Sequence, residues 1–197
     1  MFKFPVTLMF LAIMTLANFL AGTLTGTLPE NMLTTWGIGH GTILNAEFYR
    51  LITGTFLSHD IGMYFRQMGF VLLVVGYVEW TWGSAATAGM FFGIDIIGTL
   101  VLLGLLTWLK PVLPMTQMYD VGMSIGGFGL IGVIIAGGRW KLLVLGVIEA
   151  AIVVKYLIVP DLTADIGHGL ALILGVGLAA ILAQTSKTGP QEASHAE

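Results

Sequence analysis

The sequence contains no cysteine and very little charge, and each shortage excludes a class of function. Without cysteine there can be no disulfide, no thiolate metal site and no thiol nucleophile. The chain has 8 lysine and arginine residues against 11 acidic ones, which gives a formal net charge of -3. Because nucleic acids are bound through clustered positive charge, we expect no nucleic-acid partner.

Apolar side chains, in contrast, are abundant. Hydrophobic residues fill 56% of the 197 positions, charged residues only 10%, and the mean hydropathy is +0.92. Soluble domains do not tolerate such a composition, so the sequence predicts an all-α integral membrane protein. Runs of about 20 apolar residues can cross the hydrocarbon core. Six such segments are predicted: Pro5–Leu24, Met63–Val78, Ala85–Leu109, Val121–Gly137, Leu142–Val159 and Ile166–Ala183.

We expect a single membrane domain over residues 1–184, followed by a polar tail over residues 185–197. The first loop, Trp36–Gly62, is too long and too apolar for a solvated loop, so we expect it to be partly embedded against the helix bundle. The fourth segment, from Gly122 to Gly137, supplies only about 24 Å of helix for a core of about 30 Å. Its first turn should therefore begin below the membrane surface.

Two polar residues, Ser124 and His168, lie inside apolar segments. Polar groups at membrane depth are retained mainly when they pack inward or serve a function. A serine hydroxyl is a poor nucleophile and needs an adjacent base, commonly histidine, to take its proton. Ser124 and His168 could therefore act as a catalytic pair, with Ser124 as nucleophile and His168 as base.

Such a pair requires the fourth and sixth helices to touch, and their small residues would allow it. These are Gly126, Gly129 and Gly132 on one helix, and Ala171 and Gly175 on the other. An anionic intermediate also needs hydrogen-bond donors. The backbone N–H groups at Gly122, Met123 and Ser124 and the side chain of Gln67 are the candidates.

Other readings of the same residues stay open. A serine in a glycine-rich membrane helix is usually a packing residue. A single intramembrane histidine such as His168 can ligate haem or chlorin. Asp95 and Glu149 are candidates for a proton relay, although Glu149 is expected to pair with Lys155 or with backbone donors. We expect neither a cofactor nor a metal.

Five short motifs follow one another between about Glu47 and Gly175. They are Glu47-Phe48-Tyr49-Arg50, Phe56-Leu57-Ser58-His59, Gly76-Tyr77-Val78-Glu79 with Gly83-Ser84, Gly122-Met123-Ser124 with Phe128 and Gly132, and His168 with Ala171 and Gly175. In this order they resemble the motifs of the rhomboid family of intramembrane serine proteases. The resemblance implies a six-helix bundle, a Ser124–His168 dyad with the His168 ring packed on Phe128, and a structural role for Glu47 and Arg50 in the first loop.

The chain departs from the family pattern around the oxyanion site. Ile125 replaces the small residue that usually follows the nucleophile. Met63 and Gln67 stand where the family has a histidine and an asparagine that bind the oxyanion, so one donor is lost. His59 is one position later than the usual loop histidine, and Ser58 takes that place. Loss of one oxyanion donor costs roughly 3 to 4 kcal/mol, which slows hydrolysis without abolishing it.

The resemblance therefore predicts an intramembrane serine endopeptidase that cleaves membrane-anchored proteins, in a multi-pass fold of the bacterial inner membrane. The alternative is a catalytically inactive relative that binds transmembrane helices as a scaffold or as a subunit of a larger membrane complex. In either case the partners are a transmembrane protein and the lipid bilayer.

Overall fold

The computed structural model describes residues 3–109 and 119–188. Each of the six apolar segments is helical within these residues. In chain order the elements are α1 (Pro5–Ala21), α2 (Glu30–Trp36), β1 (Ile38–Gly39), α3 (His40–Leu44), α4 (Arg50–Thr53), a 3₁₀ turn (Gly54–Phe56), α5 (Ile61–Phe70), a π-helical stretch (Val71–Val75), α6 (Gly76–Trp82), α7 (Ser84–Leu109), β2 (Tyr119–Asp120), α8 (Ser124–Ala136), α9 (Lys141–Ile158) and α10 (Leu162–Thr188).

Among the described residues, three helices are long and apolar enough to cross a membrane, namely Ile61–Trp82, Ser84–Leu109 and Leu162–Thr185. The first of these joins α5 and α6 through the π-helical stretch. The helices α1 and α8 are apolar but shorter. The protein is thus an all-α membrane protein, whereas the bundle of six spans stays a prediction.

The last helix is longer than the sequence predicts. A polar tail was expected from residue 185, but α10 continues to Thr188. The remainder of the expected tail, residues 189–197, lies outside the described residues. The polar side chains after Gln184 therefore do not end the helix, because Gln, Ser, Lys and Thr carry only a small helix penalty relative to Ala.

The centre of the fold is the contact between α8 and α10. The two helices run parallel and are so close that their backbone atoms are in contact. A Cβ atom on Gly175 would fall against the carbonyl oxygen of Gly129, and one on Gly132 against the backbone of Leu172 and Val176. Only glycine permits this approach. The predicted close packing of these two helices is confirmed.

Gly126, the third small residue predicted for this contact, faces a different neighbour. A Cβ atom there would lie 2.8 Å from the ring of Phe91 and 3.0 Å from Cβ of Asp95, both on α7. A Cβ atom on Gly129, one turn later, would likewise fall against Ile94 of α7. Gly126 thus permits close packing of α8 on α7, and its contact with α10 stays a prediction.

A buried carboxylate holds the start of α1 to the rest of the bundle. Glu79, at 2% exposure, accepts hydrogen bonds from the N–H groups of Val6 and Thr7 at 2.9 and 2.8 Å. It also accepts from the hydroxyls of Thr7 and Ser84 at 2.7 and 2.6 Å. The first-turn N–H groups of a helix have no partner within the helix, so an acid from another element stabilises them. The Glu79 and Ser84 pair of the sequence motif thus has a structural role.

The first loop is built from α2, α3, α4 and the 3₁₀ turn, and it packs on the bundle. Arg50 is buried and forms an ion pair with Glu47 at 2.9 Å. Its guanidinium also donates to the carbonyl oxygens of Thr34 and, at 3.4 Å, Gly37. Asn18 of α1 holds the far end of the loop, donating to the carbonyl oxygen of Phe56 at 2.9 Å. The structural role that the motif predicts for Arg50 thus takes the form of bonds to loop carbonyls and an ion pair with an acid.

Candidate functional site

Ser124 is the first residue of α8, and the chain reaches it through a constrained turn. Gly122 has a φ of +126°, a conformation that glycine adopts far more readily than other residues. The N–H of Gly122 donates to the carbonyl oxygen of Gly54 in the first loop at 2.8 Å. The strands β1 and β2 pair antiparallel just before this turn, with Ile38 opposite Asp120. The first loop therefore fixes the position from which Ser124 projects.

The bond to Gly54 corrects one prediction. The N–H groups from Gly122 to Ser124 were all expected to be open toward an oxyanion, but that of Gly122 is occupied. Met123 contributes a side chain that is 1% exposed and belongs to the core. In the described structure the N–H of Ser124 donates to no protein acceptor. The N–H of Met123 is likewise without a protein acceptor among the described residues, so both of these backbone donors can still serve an anion.

His168 lies on α10 with its ring flat against Phe128 of α8. The two ring centroids are 4.1 Å apart and the planes differ by 11°. This is the stacking expected from the sequence. The Nε2 atom of His168 is buried and has no hydrogen-bond partner within residues 3–109 and 119–188. Phe128 thus fixes the ring plane while one ring nitrogen is left without a protein partner.

The packing register brings Ser124 and His168 to the same level of the bundle. Gly132 of α8 packs against Val176 of α10, and eight residues earlier on each helix lie Ser124 and His168. Because the helices are parallel, these two positions remain neighbours. No hydrogen bond joins the hydroxyl to the ring in the described structure. Catalytic hydrogen bonds are often long in unliganded enzymes, so this arrangement is compatible with a dyad.

Gln67 of α5 points its amide at the turn before Ser124. Its Oε1 accepts a hydrogen bond of 2.5 Å from the hydroxyl of Ser58. Its Nε2 is buried and, as far as the chain is described, has no hydrogen-bond partner. A Cβ atom on Gly122 would lie 2.7 Å from this nitrogen. Ser58 therefore orients Gln67 so that two unused N–H donors lie beside Gly122.

Met63 and Ile125 were the two residues that could fill this space. The branched side chain of Ile125 lies in another direction, between Gly98 of α7 and Gly167 of α10. The terminal methyl of Met63, in contrast, lies against Gly122, where a Cβ atom would be 2.7 Å from it. The space beside Gly122 is thus shared by one polar group, from Gln67, and one apolar group, from Met63.

A cavity of about 380 Å³ lies beside Ser124, between the first loop and the helices α7, α8 and α10. Its polar lining includes Arg50, Thr55, Asp95, Thr99, Tyr119 and Ser124. Of the described side chains that form it, none belongs to His168 or Gln67. The cavity therefore borders Ser124 without reaching the side chains of His168 and Gln67.

A histidine and an aspartate, His59 and Asp120, lie together between the first loop and the segment that precedes α8. Nε2 of His59 lies 3.3 Å from Oδ1 of Asp120, and that carboxylate also accepts the N–H of Val121 at 2.8 Å. Both side chains are half-exposed. The hydrogen bond to Asp120 raises the pKa of His59 above its ordinary value of 6.5, although burial acts in the opposite direction. His59, outside the helices, thus links the loop to the segment that leads into α8.

Glu149 does not form the pair that the sequence predicts. Lys155 instead binds Asp165 of α10, at 3.0 Å. Glu149 and Lys155 both face α10, but Lys155 lies beside Asp165 whereas the carboxylate of Glu149 lies against Gly169, so the two side chains do not meet. The Oε1 atom of Glu149 is buried without a hydrogen-bond partner in the part of the chain that the structure describes.

Three contacts of this site were not foreseen. They are Ser58 to Gln67, Asp95 to the start of α8, and His59 to Asp120. Each joins residues of two different elements, and periodicity carries no information on such pairs. A usable signal did exist for Asp95, since an acid in an apolar segment needs donors from a neighbouring element.

Comparison with known proteins assigns no family to this geometry. No protein-family model matches the chain, and no curated protein matches it in sequence. Within the described residues there is also no group of three or more histidine and acidic side chains arranged to hold a metal ion. The functional argument therefore starts from the placement of Ser124, His168 and Gln67.

Proposed function

We propose that the protein is a rhomboid-like intramembrane serine endopeptidase, a bundle of six membrane helices in the bacterial inner membrane. The observation that carries this proposal is the buried amide of Gln67, whose Nε2 has no partner among the described residues and lies beside Gly122. A buried donor without an acceptor costs about 1 to 3 kcal/mol. The Gln67 amide would gain a hydrogen-bond acceptor if a substrate carbonyl oxygen became an anion beside it during a reaction.

The dyad would work as follows. The Ser124 oxygen attacks the scissile carbonyl carbon while a ring nitrogen of His168 takes the hydroxyl proton. The carbonyl oxygen becomes an anion that accepts hydrogen bonds from the Ser124 N–H and the Gln67 amide. His168 then returns the proton to the leaving amine, and water repeats the sequence on the acyl-enzyme. Phe128 keeps the imidazole in one plane throughout these steps.

The substrate class follows from the depth of the site. Ser124 begins a helix of only 13 residues, about 20 Å long, so the nucleophile lies inside the bilayer. A membrane-anchored protein can reach that depth, and its helix must unwind there because helical backbone is closed to attack. The partly embedded first loop would border the entry, since it exposes Phe48, Tyr49 and Leu44 to the surroundings.

The direct test is labelling of the purified protein by a fluorophosphonate, which phosphonylates activated serines. We expect labelling of the wild type that Ser124→Ala abolishes and His168→Ala reduces strongly. The variant Ser84→Ala serves as a control, because Ser84 is held by Glu79 in a structural contact. Labelling that persists in Ser124→Ala would contradict the proposal.

A second function, a helix-binding scaffold without catalysis, is favoured by the position of Met63. Its methyl group lies against Gly122, where it could exclude a carbonyl oxygen. In that case the wild type would remain unlabelled, and Ser124→Ala would not change the proteins that co-purify with the chain. The variant Met63→Ala distinguishes the protease from the scaffold. Removing the methyl group that lies against Gly122 should increase labelling only if Ser124 is an active nucleophile.

A further inference from the structure

The carboxylate of Glu149 has no role in the dyad described above, yet it packs on the helix that carries His168. A Cβ atom on Gly169 would be 2.7 Å from Oε2 of Glu149, so the carboxylate rests on the backbone of α10 at the residue that follows His168. Glycine at this position makes the approach possible. The contact joins α9 to the helix that carries the base.

Each of the two side chains, Glu149 and His168, also carries a buried polar atom that forms no hydrogen bond within the described part of the chain. Oε1 of Glu149 and Nε2 of His168 are both buried, and each lacks a hydrogen-bond partner among the residues described. A carboxylate without a donor is costly in a membrane protein, and so is an imidazolium without a counter-charge. Ionisation of one group lowers the cost of ionising the other, because opposite charges compensate each other strongly where water is excluded.

We propose that Glu149 is a positioning residue that supplies the counter-charge for the His168 imidazolium. This inference rests on the proposed function, in which His168 must carry a proton between the two steps. The proton from Ser124 goes to the His168 ring and stays there, and Glu149 takes none. The acid would thus convert a serine and histidine pair into a three-residue unit whose third member comes from α9.

The other charges near His168 do not take this part. Asp165 is neutralised by Lys155 at 3.0 Å, and Asp161 lies at the exposed start of α10. Asp120 is engaged by His59, on the first-loop side. Glu149 is therefore the acid packed on α10 at the residue after His168 whose charge no described cation compensates.

The test is a titration of the His168 ring by ¹⁵N NMR in detergent micelles, with the wild type, Glu149→Gln and Glu149→Asp. We expect Glu149→Gln to shift the protonation equilibrium of His168 at least about tenfold toward the neutral ring, and Glu149→Asp to restore part of the shift. The His168→Gln variant identifies the signal. Glu30→Gln removes an equivalent charge on α2 and should leave the His168 titration unchanged.

Fluorophosphonate labelling measured on the same variants connects the titration to catalysis. We expect Glu149→Gln to lower the labelling rate about tenfold or more near neutral pH, without lowering the melting temperature. An unchanged His168 titration in Glu149→Gln would overturn the inference, whatever the labelling shows. A shifted titration in a protein that is never labelled would support the Glu149–His168 pairing and refute the proposed hydrolysis.

Discussion

Asp95 of α7 accepts a hydrogen bond of 2.8 Å from the N–H of Gly126, two residues after Ser124. The other carboxylate oxygen accepts the hydroxyl of Thr55 in the first loop, also at 2.8 Å. Both Asp95 and Thr55 are 3% exposed. One buried acid thus ties the first loop and α7 to the first turn of the helix that begins with Ser124. Such a helix start would otherwise leave its N–H groups without partners.

Two substitutions of Asp95 distinguish the effect of its hydrogen bonds from the effect of its charge. Asp95→Asn can still accept from Gly126 and pair with Thr55, so we expect near-wild-type melting and labelling of Ser124. Asp95→Ala leaves the buried N–H of Gly126 without a partner, while the Thr55 hydroxyl keeps its bond to the carbonyl oxygen of Leu51 at 2.9 Å. This change should destabilise the protein by about 1 to 3 kcal/mol and slow labelling. Thr99→Ala, on the same helix and the same cavity, is the control. Equal behaviour of Asp95→Asn and Asp95→Ala would contradict a role based on hydrogen bonds.

The contact between α8 and α10 predicts a sharp difference between two glycines of α10. A methyl group on Gly175 would collide with the carbonyl oxygen of Gly129, whereas one on Gly177 would meet nothing within 4 Å. We expect Gly175→Ala to destabilise the protein by about 1 to 3 kcal/mol. Gly177→Ala should leave stability unchanged or raise it by up to about 1 kcal/mol, because alanine favours the helix. Thermal unfolding in detergent measures both. Equal melting temperatures would refute the backbone contact.

The sequence predicted the helices well and the site in part, for physical reasons that differ. Runs of apolar residues are a local property, so α1, α7 and α9 appear close to their expected bounds. The stacking of His168 on Phe128 was also foreseen, through the motifs. In contrast, the partner of Gln67 is Ser58, and that of Lys155 is Asp165. These pairings depend on how separate elements pack, which no local pattern encodes.

Arg50 should contribute to stability through the loop that it holds. Its guanidinium binds Glu47 at 2.9 Å and donates to the carbonyl oxygens of Thr34 and Gly37. Arg50→Ala removes these bonds from a buried position, and we expect a loss of about 1 to 3 kcal/mol in unfolding free energy. Arg66→Ala is the matched control, since the Arg66 side chain is exposed. A melting curve of Arg50→Ala that matches the control would show that the loop does not depend on it.

His59 predicts a pH dependence of stability with a definite sign. The bond to Asp120, with further attraction from Asp60 and Asp161, raises the folded-state pKa of His59 above 6.5. The stabilisation is therefore fully present below pH 6.5 and is lost as the pH rises through the folded-state pKa. His59→Gln should lower the melting temperature more at pH 5.5 than at pH 8.5. The effect will be small, since the pair is half-exposed and screened by solvent. A larger decrease in melting temperature at pH 8.5 than at pH 5.5 would contradict a raised pKa of His59.

Gln67 tests whether the site stabilises an anion. The variant Gln67→Met keeps a side chain of similar length but has no N–H donor, so packing is retained and only the hydrogen bond is lost. We expect labelling of Ser124 to fall by roughly 10²-fold, as for other oxyanion donors, with little change in melting temperature. Ser58→Ala should have a smaller effect in the same direction, because it leaves the amide in place but removes the 2.5 Å bond that orients it. If Gln67→Met were labelled as fast as the wild type, the unpartnered amide would not face the developing charge, and the methyl group of Met63 would then define that side of the site.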